Sequence, residues 1–166
     1  MKYVVIYSSR TGNTKYLAEA LKDWLGEKCM FFGEVGKTEE VEDADVIFAG
    51  FWTDKGDCQE TMAKFLQGIR SKKIFLFGTA GFGQNESYFQ RIVSNVNKHL
   101  DQSNQVIGTW MCQGRMPMAV RTRYEAMLET EPEKARQMID NFDRAMLHPN
   151  EEDKRKFLEA VEEIME

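Results

Sequence analysis

The chain has 166 residues, 42% of them hydrophobic, and a formal net charge of −5 at pH 7. That length suits one domain, taken as residues 1–166, with enough apolar content for a core. The acidic balance argues against a nucleic-acid partner, no apolar run is long enough to span a membrane, and the N-terminus lacks the pattern of a signal peptide, so the expected compartment is the cytoplasm.

The run Lys2-Tyr3-Val4-Val5-Ile6-Tyr7 reads as a buried strand, and Lys15 to Leu21 has helical spacing. Ser8, Ser9, Arg10, Thr11, Gly12, Asn13 and Thr14 lie between them. A strand, a hydroxyl-rich turn and a helix start in direct succession make an anion site, because the free N–H groups of the first helical turn point into the loop. Gly12 lets the backbone approach a ligand, and Thr14 is placed to cap the helix. The same residues would also serve an ordinary capped βα turn. The lysine of a P-loop is missing, so a nucleoside triphosphate is not implied.

The helix is expected to end near Gly26. Cys29-Met30-Phe31-Phe32 reads as a second strand ended by Gly33, and Glu34 to Asp45 leaves room for about one helical turn, with Glu39-Glu40-Val41-Glu42-Asp43 as a solvated acidic face. Val46-Ile47-Phe48-Ala49 is the third strand, Gln59 to Ile69 a helix, and Ile74-Phe75-Leu76-Phe77 the fourth strand. Ser87 to Leu100 is helical, and Val106 to Cys112 is the fifth strand. Continuous apolar strands are covered on both faces, and their alternation with helices points to a parallel, doubly wound α/β sheet.

Gln113 to Asn150 then intervenes before a last helix containing Phe157, Leu158, Val161 and Ile164. It reads as two helices with apolar stripes, packed beside the ligand edge, where Arg115, Arg121 and Arg123 either meet an acidic partner or are solvated. Cys29, Cys58 and Cys112 are widely spaced and lack a Cys-x-x-Cys pair, and His99 and His148 are far apart. No disulfide or metal framework is expected, and the thiols fit a reducing compartment.

Val5 to Thr14, continuing through Ala18 to Leu21, resembles the flavodoxin signature. The resemblance implies a five-stranded sheet in the order 2-1-3-4-5, with extra C-terminal helices, and flavin mononucleotide (FMN) as cofactor. It gives Ser9, Thr11, Gly12, Asn13 and Thr14 to the phosphate, and leaves Arg10 either over the phosphate or solvated. The loop after strand three then supplies Phe51, Trp52, Thr53, Asp54, Lys55, Gly56 and Asp57. Trp52 is the candidate for stacking on the ring, whereas Phe51 also suits packing beneath the next helix. Gly56-Asp57 is similar to the family's Gly-Asp step, whose glycine carbonyl accepts a hydrogen bond from the reduced ring. The loop after strand four supplies Thr79, Ala80, Gly81, Phe82 and Gly83, within a segment running from Gly78 to Gln84. Phe82 is a second stacking candidate and Tyr88 a further one.

Asp54 and Asp57 are placed to lower the potential: a carboxylate about 8 Å from the ring, at an effective dielectric near 20, opposes an added electron by roughly 2 kcal/mol. Lys55 and Arg10 oppose this effect. Such a protein would be an electron carrier between a donor protein and an acceptor reductase. The alternative is an FMN-dependent reductase whose pocket is shaped by residues 113–150. The Trp52 to Asp57 loop and the Cys112-Gln113-Gly114-Arg115 step also resemble a bacterial flavodoxin subset associated with reductases, including bilirubin reductase. A receiver domain of similar topology is disfavoured, because Ser8-Ser9 and Gly50-Phe51 supply neither its acidic residues nor its phosphoacceptor.

Overall fold

The computed structural model describes residues 1–37, 41–83 and 85–166. Glu39 and Glu40 of the acidic run, and Gln84, lie outside the described residues. In chain order the strands are β1 (Tyr3–Tyr7), β2 (Cys29–Glu34), β3 (Val46–Asp54), β4 (Asp57–Cys58), β5 (Lys73–Ala80) and β6 (Gln105–Gln113). The helices are α1 (Asn13–Leu25), α2 (Glu60–Gln67), α3 (Glu86–Asn97), α4 (Met118–Ala126), α5 (Pro132–Ala145) and α6 (Glu151–Met165). The main sheet runs β2-β1-β3-β5-β6 with all pairs parallel, which is the expected order once the short β4 is set aside. β4 pairs antiparallel with the far end of β3.

Apolar side chains cover both faces of the sheet. On one face Val5, Phe48, Phe75 and Phe77 pack with Leu17 and Leu21 of α1 and with Phe157 and Val161 of α6. On the other, Ile6, Ile47 and Leu76 pack with Met62 and Leu66 of α2 and Ile92 and Val96 of α3. All of β1 is buried, the pattern of a strand covered on both sides. Phe157 is fully buried, with its ring centroid 4.8 Å from Phe77 and 5.3 Å from Trp110.

The strands run further than their apolar cores suggest. β2 continues through Gly33 to Glu34, β3 through Phe51 to Asp54, and β5 through Gly78 to Ala80. Pairing explains the last two, since β3 and β5 remain in register out to Trp52 opposite Thr79. Two glycines permit it. Gly50 lies opposite Phe77 and Phe51 opposite Gly78, and a Cβ at either glycine would run into the ring of the facing phenylalanine. Each ring therefore lies where its neighbour's side chain would be.

Candidate functional site

The carboxyl ends of β1, β3 and β5 meet at one edge of the sheet, the place where a doubly wound fold leaves a crevice. A cavity of about 300 Å³ opens there, at the lower end of small-molecule sites. Its walls include Arg10, Thr11 and Asn13 after β1, Trp52 to Gly56 of the β3–β4 hairpin, and Thr79 to Phe82 at the end of β5 and just beyond it.

The first wall is built on the start of α1. Gly12 is its N-cap with φ 87°, and no side chain of the cap residue satisfies the first turn. Ser9 Oγ accepts from the Lys15 N–H at 3.2 Å, but the earlier amides of the helix have no intrahelical acceptor. A Cβ at Gly12 would meet no atom within 4 Å, so the backbone here faces open space. Thr14 does not cap the helix as expected. It is fully buried, and its hydroxyl donates to the Phe51 carbonyl at 3.0 Å and lies 3.2 Å from Thr79 Oγ1. Only its backbone amide is placed for a ligand.

The second wall differs most from the sequence reading. Phe51, Trp52, Thr53 and Asp54 belong to strand β3 rather than a loop, and the loop shrinks to Lys55-Gly56. Both turn residues have positive φ, 52° and 81°, as a tight type I′ hairpin requires. Phe51 is 1% exposed and packs in the core, so its ring is not available to a ligand. Trp52 is half-buried and lines the cavity, with the Arg10 guanidinium 5.5 Å from its ring centroid, within range of a cation–π contact. Asp57 does not line the cavity: its carboxylate lies 2.9 Å from His99 Nε2 and also accepts from the Cys58 N–H. Its carboxylate is therefore engaged away from the cavity rather than free beside it. The Gly56 carbonyl is held by Asn95 Nδ2 at 2.9 Å.

In the third wall, Phe82 is 41% exposed at the cavity mouth and Tyr88 lines it from α3. Gly81 carries no side chain, and a Cβ there would lie 2.6 Å from Met116 Sδ. Gly83 packs over Gln113 and does not line the cavity. The Gly81 carbonyl accepts from Gln113 Nε2 at 2.9 Å and Asn141 Nδ2 at 3.1 Å.

A fourth wall falls within residues 113–150, whose individual residues the sequence does not give to the ligand: Gly114, Arg115, Met116 and Pro117 of the β6–α4 turn, with Val120, Arg123 and Tyr124 of α4. Val120, Arg123 and Tyr124 stand at i, i+3 and i+4, one helical face. Of the two expected helices α4 lines this wall, and no residue of α5 does. The turn is tied to the first wall, because the Arg115 carbonyl accepts from Thr11 Oγ1 at 3.2 Å and Asn13 Nδ2 at 2.8 Å. Arg121 instead braces α4 to α5 through Asp143 at 3.0 Å and pairs with Glu125 at 2.7 Å.

The cysteines are unpaired, and two lie near the site without nucleophilic character. Burial, with the Asp57 carboxylate beside it, pushes the Cys58 thiol up to about 12. Burial likewise holds Cys112 well above the ordinary thiol range.

An uncapped helix start beside a glycine at positive φ suits a phosphate, and flat aromatic walls at two strand ends suit a planar ring. Thr53 Oγ1, buried on the cavity wall without a hydrogen-bond partner, is an orphaned polar atom that a ligand's polar edge would satisfy. The site therefore fits FMN. Fold and site together define a flavoprotein of the flavodoxin-like class.

The match to known proteins agrees. A flavodoxin domain model matches residues 4–162, and the chain belongs to the flavodoxin family. It is 39% identical to the flavodoxin-like domain-containing protein BilS of Clostridium symbiosum, over 95% of this chain and 92% of that protein. The corresponding protein of Clostridioides difficile is 33% identical, over 92% of this chain and 90% of its own length. Among solved structures, a Streptococcus pneumoniae flavodoxin covers 99% of this chain and 98% of its own, with a TM-score of 0.56 at 14% identity. As a flavodoxin the protein is a flavin-binding redox protein, and its cofactor is FMN. No helix among the described residues is long and apolar enough to cross a membrane.

Proposed function

We propose that this protein is a one-electron carrier that takes electrons from a donor protein and passes them to a reductase. The observation that carries the proposal is the open edge of the cavity: Phe82 stands 41% exposed at its mouth, so a ring held between the walls would present an edge to a docked partner. The Trp52 to Asp57 segment and the Cys112-Gln113-Gly114-Arg115 step, which resemble a flavodoxin subset associated with reductases, support a reductase as acceptor. Three unpaired thiols fit the reducing cytoplasm as the compartment.

FMN supplies the ability to take and give single electrons. The chain binds and orients it. The amides of Thr11, Gly12, Asn13 and Thr14, with the Ser9 hydroxyl, hold the phosphate at the start of α1, while the Thr11 hydroxyl donates to the Arg115 carbonyl. Arg10 lies over Trp52 at the cavity mouth. Trp52, Phe82 and Tyr88 flank the ring, and Thr53, Asp54, Lys55, Gly56, Thr79, Ala80 and Gly81 supply its polar and backbone contacts. Asp54 lowers the potential and Lys55 raises it. Met116, Val120 and Tyr124 exclude water from the α4 side.

That fourth wall also favours a second reading, a small-molecule reductase, because Arg123 and Tyr124 add polar groups to the cavity beyond those a carrier requires. Stepwise anaerobic reduction of the purified protein, followed by its visible spectrum and then by addition of NAD(P)H alone, separates the two. The carrier accepts electrons from a chemical reductant and stays oxidised with NAD(P)H. Bleaching by NAD(P)H with turnover of a small oxidant would establish the reductase instead. A protein that takes up no FMN would refute both.

A further inference from the structure

Asp57 and Cys58 of β4 and His99, just beyond α3, bring three metal-ligating side chains together outside the cavity lining. One ligand atom of each lies within 4.8 Å of the others. His99 Nε2 is 2.9 and 3.1 Å from the two Asp57 oxygens. Cys58 is buried, while the side chains of His99 and Asp57 are 23% and 35% exposed, so the sulfur forms the inner end of a cluster that opens to solvent. The sequence hides this arrangement, because His99 stands 42 positions from Asp57.

We propose that Asp57, Cys58 and His99 form a binding site for one borderline divalent cation, Zn²⁺, completed by a solvent ligand. One sulfur, one imidazole nitrogen and one carboxylate oxygen suit Zn²⁺ and disfavour Mg²⁺ and Ca²⁺, which take oxygen ligands. Tetrahedral zinc bonds of about 2.0 to 2.3 Å place ligand atoms roughly 3.5 Å apart. Asp57 and His99 lie just inside that separation, at 2.9 and 3.1 Å, leaving at most about 1 Å for the Cys58 side to close. Coordination exchanges the Asp57–His99 hydrogen bond for two bonds to the metal, with the Nε2 proton of the neutral ring giving way to the Nδ1–H tautomer, forms a third bond to sulfur, and releases the thiol proton to water. The ion would join β4 to the end of α3, directly behind the Lys55-Gly56 turn that Asn95 of α3 already holds. The site does not depend on the flavin reading.

The test is titration of the full chain as purified with Co²⁺, read as difference spectra against the same protein without metal, followed by displacement with Zn²⁺. The expected result is one ion per chain with a thiolate-to-cobalt charge-transfer band that Zn²⁺ removes. Cys58→Ser and His99→Gln should each weaken binding by about tenfold or more, the scale reached on losing even an outer-shell partner. Cys29→Ser, on the remote strand β2, should leave it unchanged. His99→Gln alters a partly exposed position, so the test stands even where the buried serine variant fails to fold. No thiolate band, a band that survives Cys58→Ser, an unchanged Co²⁺ affinity in folded His99→Gln, or a band lost with Cys29→Ser overturns the proposal.

Discussion

Two walls of the cavity are made in contrasting ways. The wall formed by β1, β3 and β5 is largely backbone, held in place by strand pairing and by rings packed against glycines. The wall formed by the β6–α4 turn and α4 is side chains on a helix, seated by hydrogen bonds from Thr11 and Asn13 to Arg115 and from Gln113 and Asn141 to Gly81. The first is inseparable from the fold. The second can be altered while the fold persists.

The largest expected effect removes the support behind the backbone wall. Phe157→Ala empties the space between Phe75, Phe77 and Trp110 and should cost about 3–5 kcal/mol in denaturant unfolding. Gly78→Ala comes next: its Cβ collides with the Phe51 ring, and overpacking of this kind costs roughly 1–3 kcal/mol, with weakened FMN retention. If Gly78→Ala were neutral in both, the packing of Phe51 against that strand would not be what shapes the wall.

Gly12→Ala separates binding from stability within the same wall. Its φ of 87° makes the substitution strained by about 1 kcal/mol, and its methyl would enter the space assigned to the phosphate. Isothermal titration should show a larger loss for FMN than for riboflavin, which has no phosphate. Equal losses would move the phosphate elsewhere. On the helical wall, Met116→Ala should leave thermal stability almost unchanged, within about 1 kcal/mol, but expose the bound ring to solvent quenchers.

The smallest effect concerns the brace between α4 and α5. The Arg121 guanidinium holds the Asp143 carboxyl below its ordinary 3.8. A carboxyl with a lowered folded-state value stabilises the fold fully above the ordinary value and loses that contribution as pH falls through the folded one. Asp143→Asn should therefore speed amide exchange in α4 slightly at neutral pH, and the difference from the parent should vanish in strong acid. Because the pair is solvent-exposed, added salt should shrink the difference too.

The contrast also explains what could be read without coordinates. Five apolar runs located the parallel strands, because burial on both faces leaves its mark in each run. The continuation of β3 through Gly50, Thr53 and Asp54 left no such mark, since these are not strand-favouring as a group and their conformation is set by pairing with β5. Phe51 was readable as both core and ligand contact, and only its register opposite Gly78 decides for the core. Asp57 looked like a free charge beside the ring until the fold brought His99 to it. The residues of the fourth wall were visible as one helical face, but nothing local in Val120, Arg123 or Tyr124 says which neighbour that face will meet.

The reciprocal packing of β3 and β5 also constrains how the family's sequences can diverge. Gly50 faces Phe77 and Gly78 faces Phe51, so enlarging either glycine is tolerable only after its opposing ring has shrunk. Related chains should therefore vary at these positions in couples, and a lineage that abandons one glycine should be found to have replaced the matching phenylalanine first.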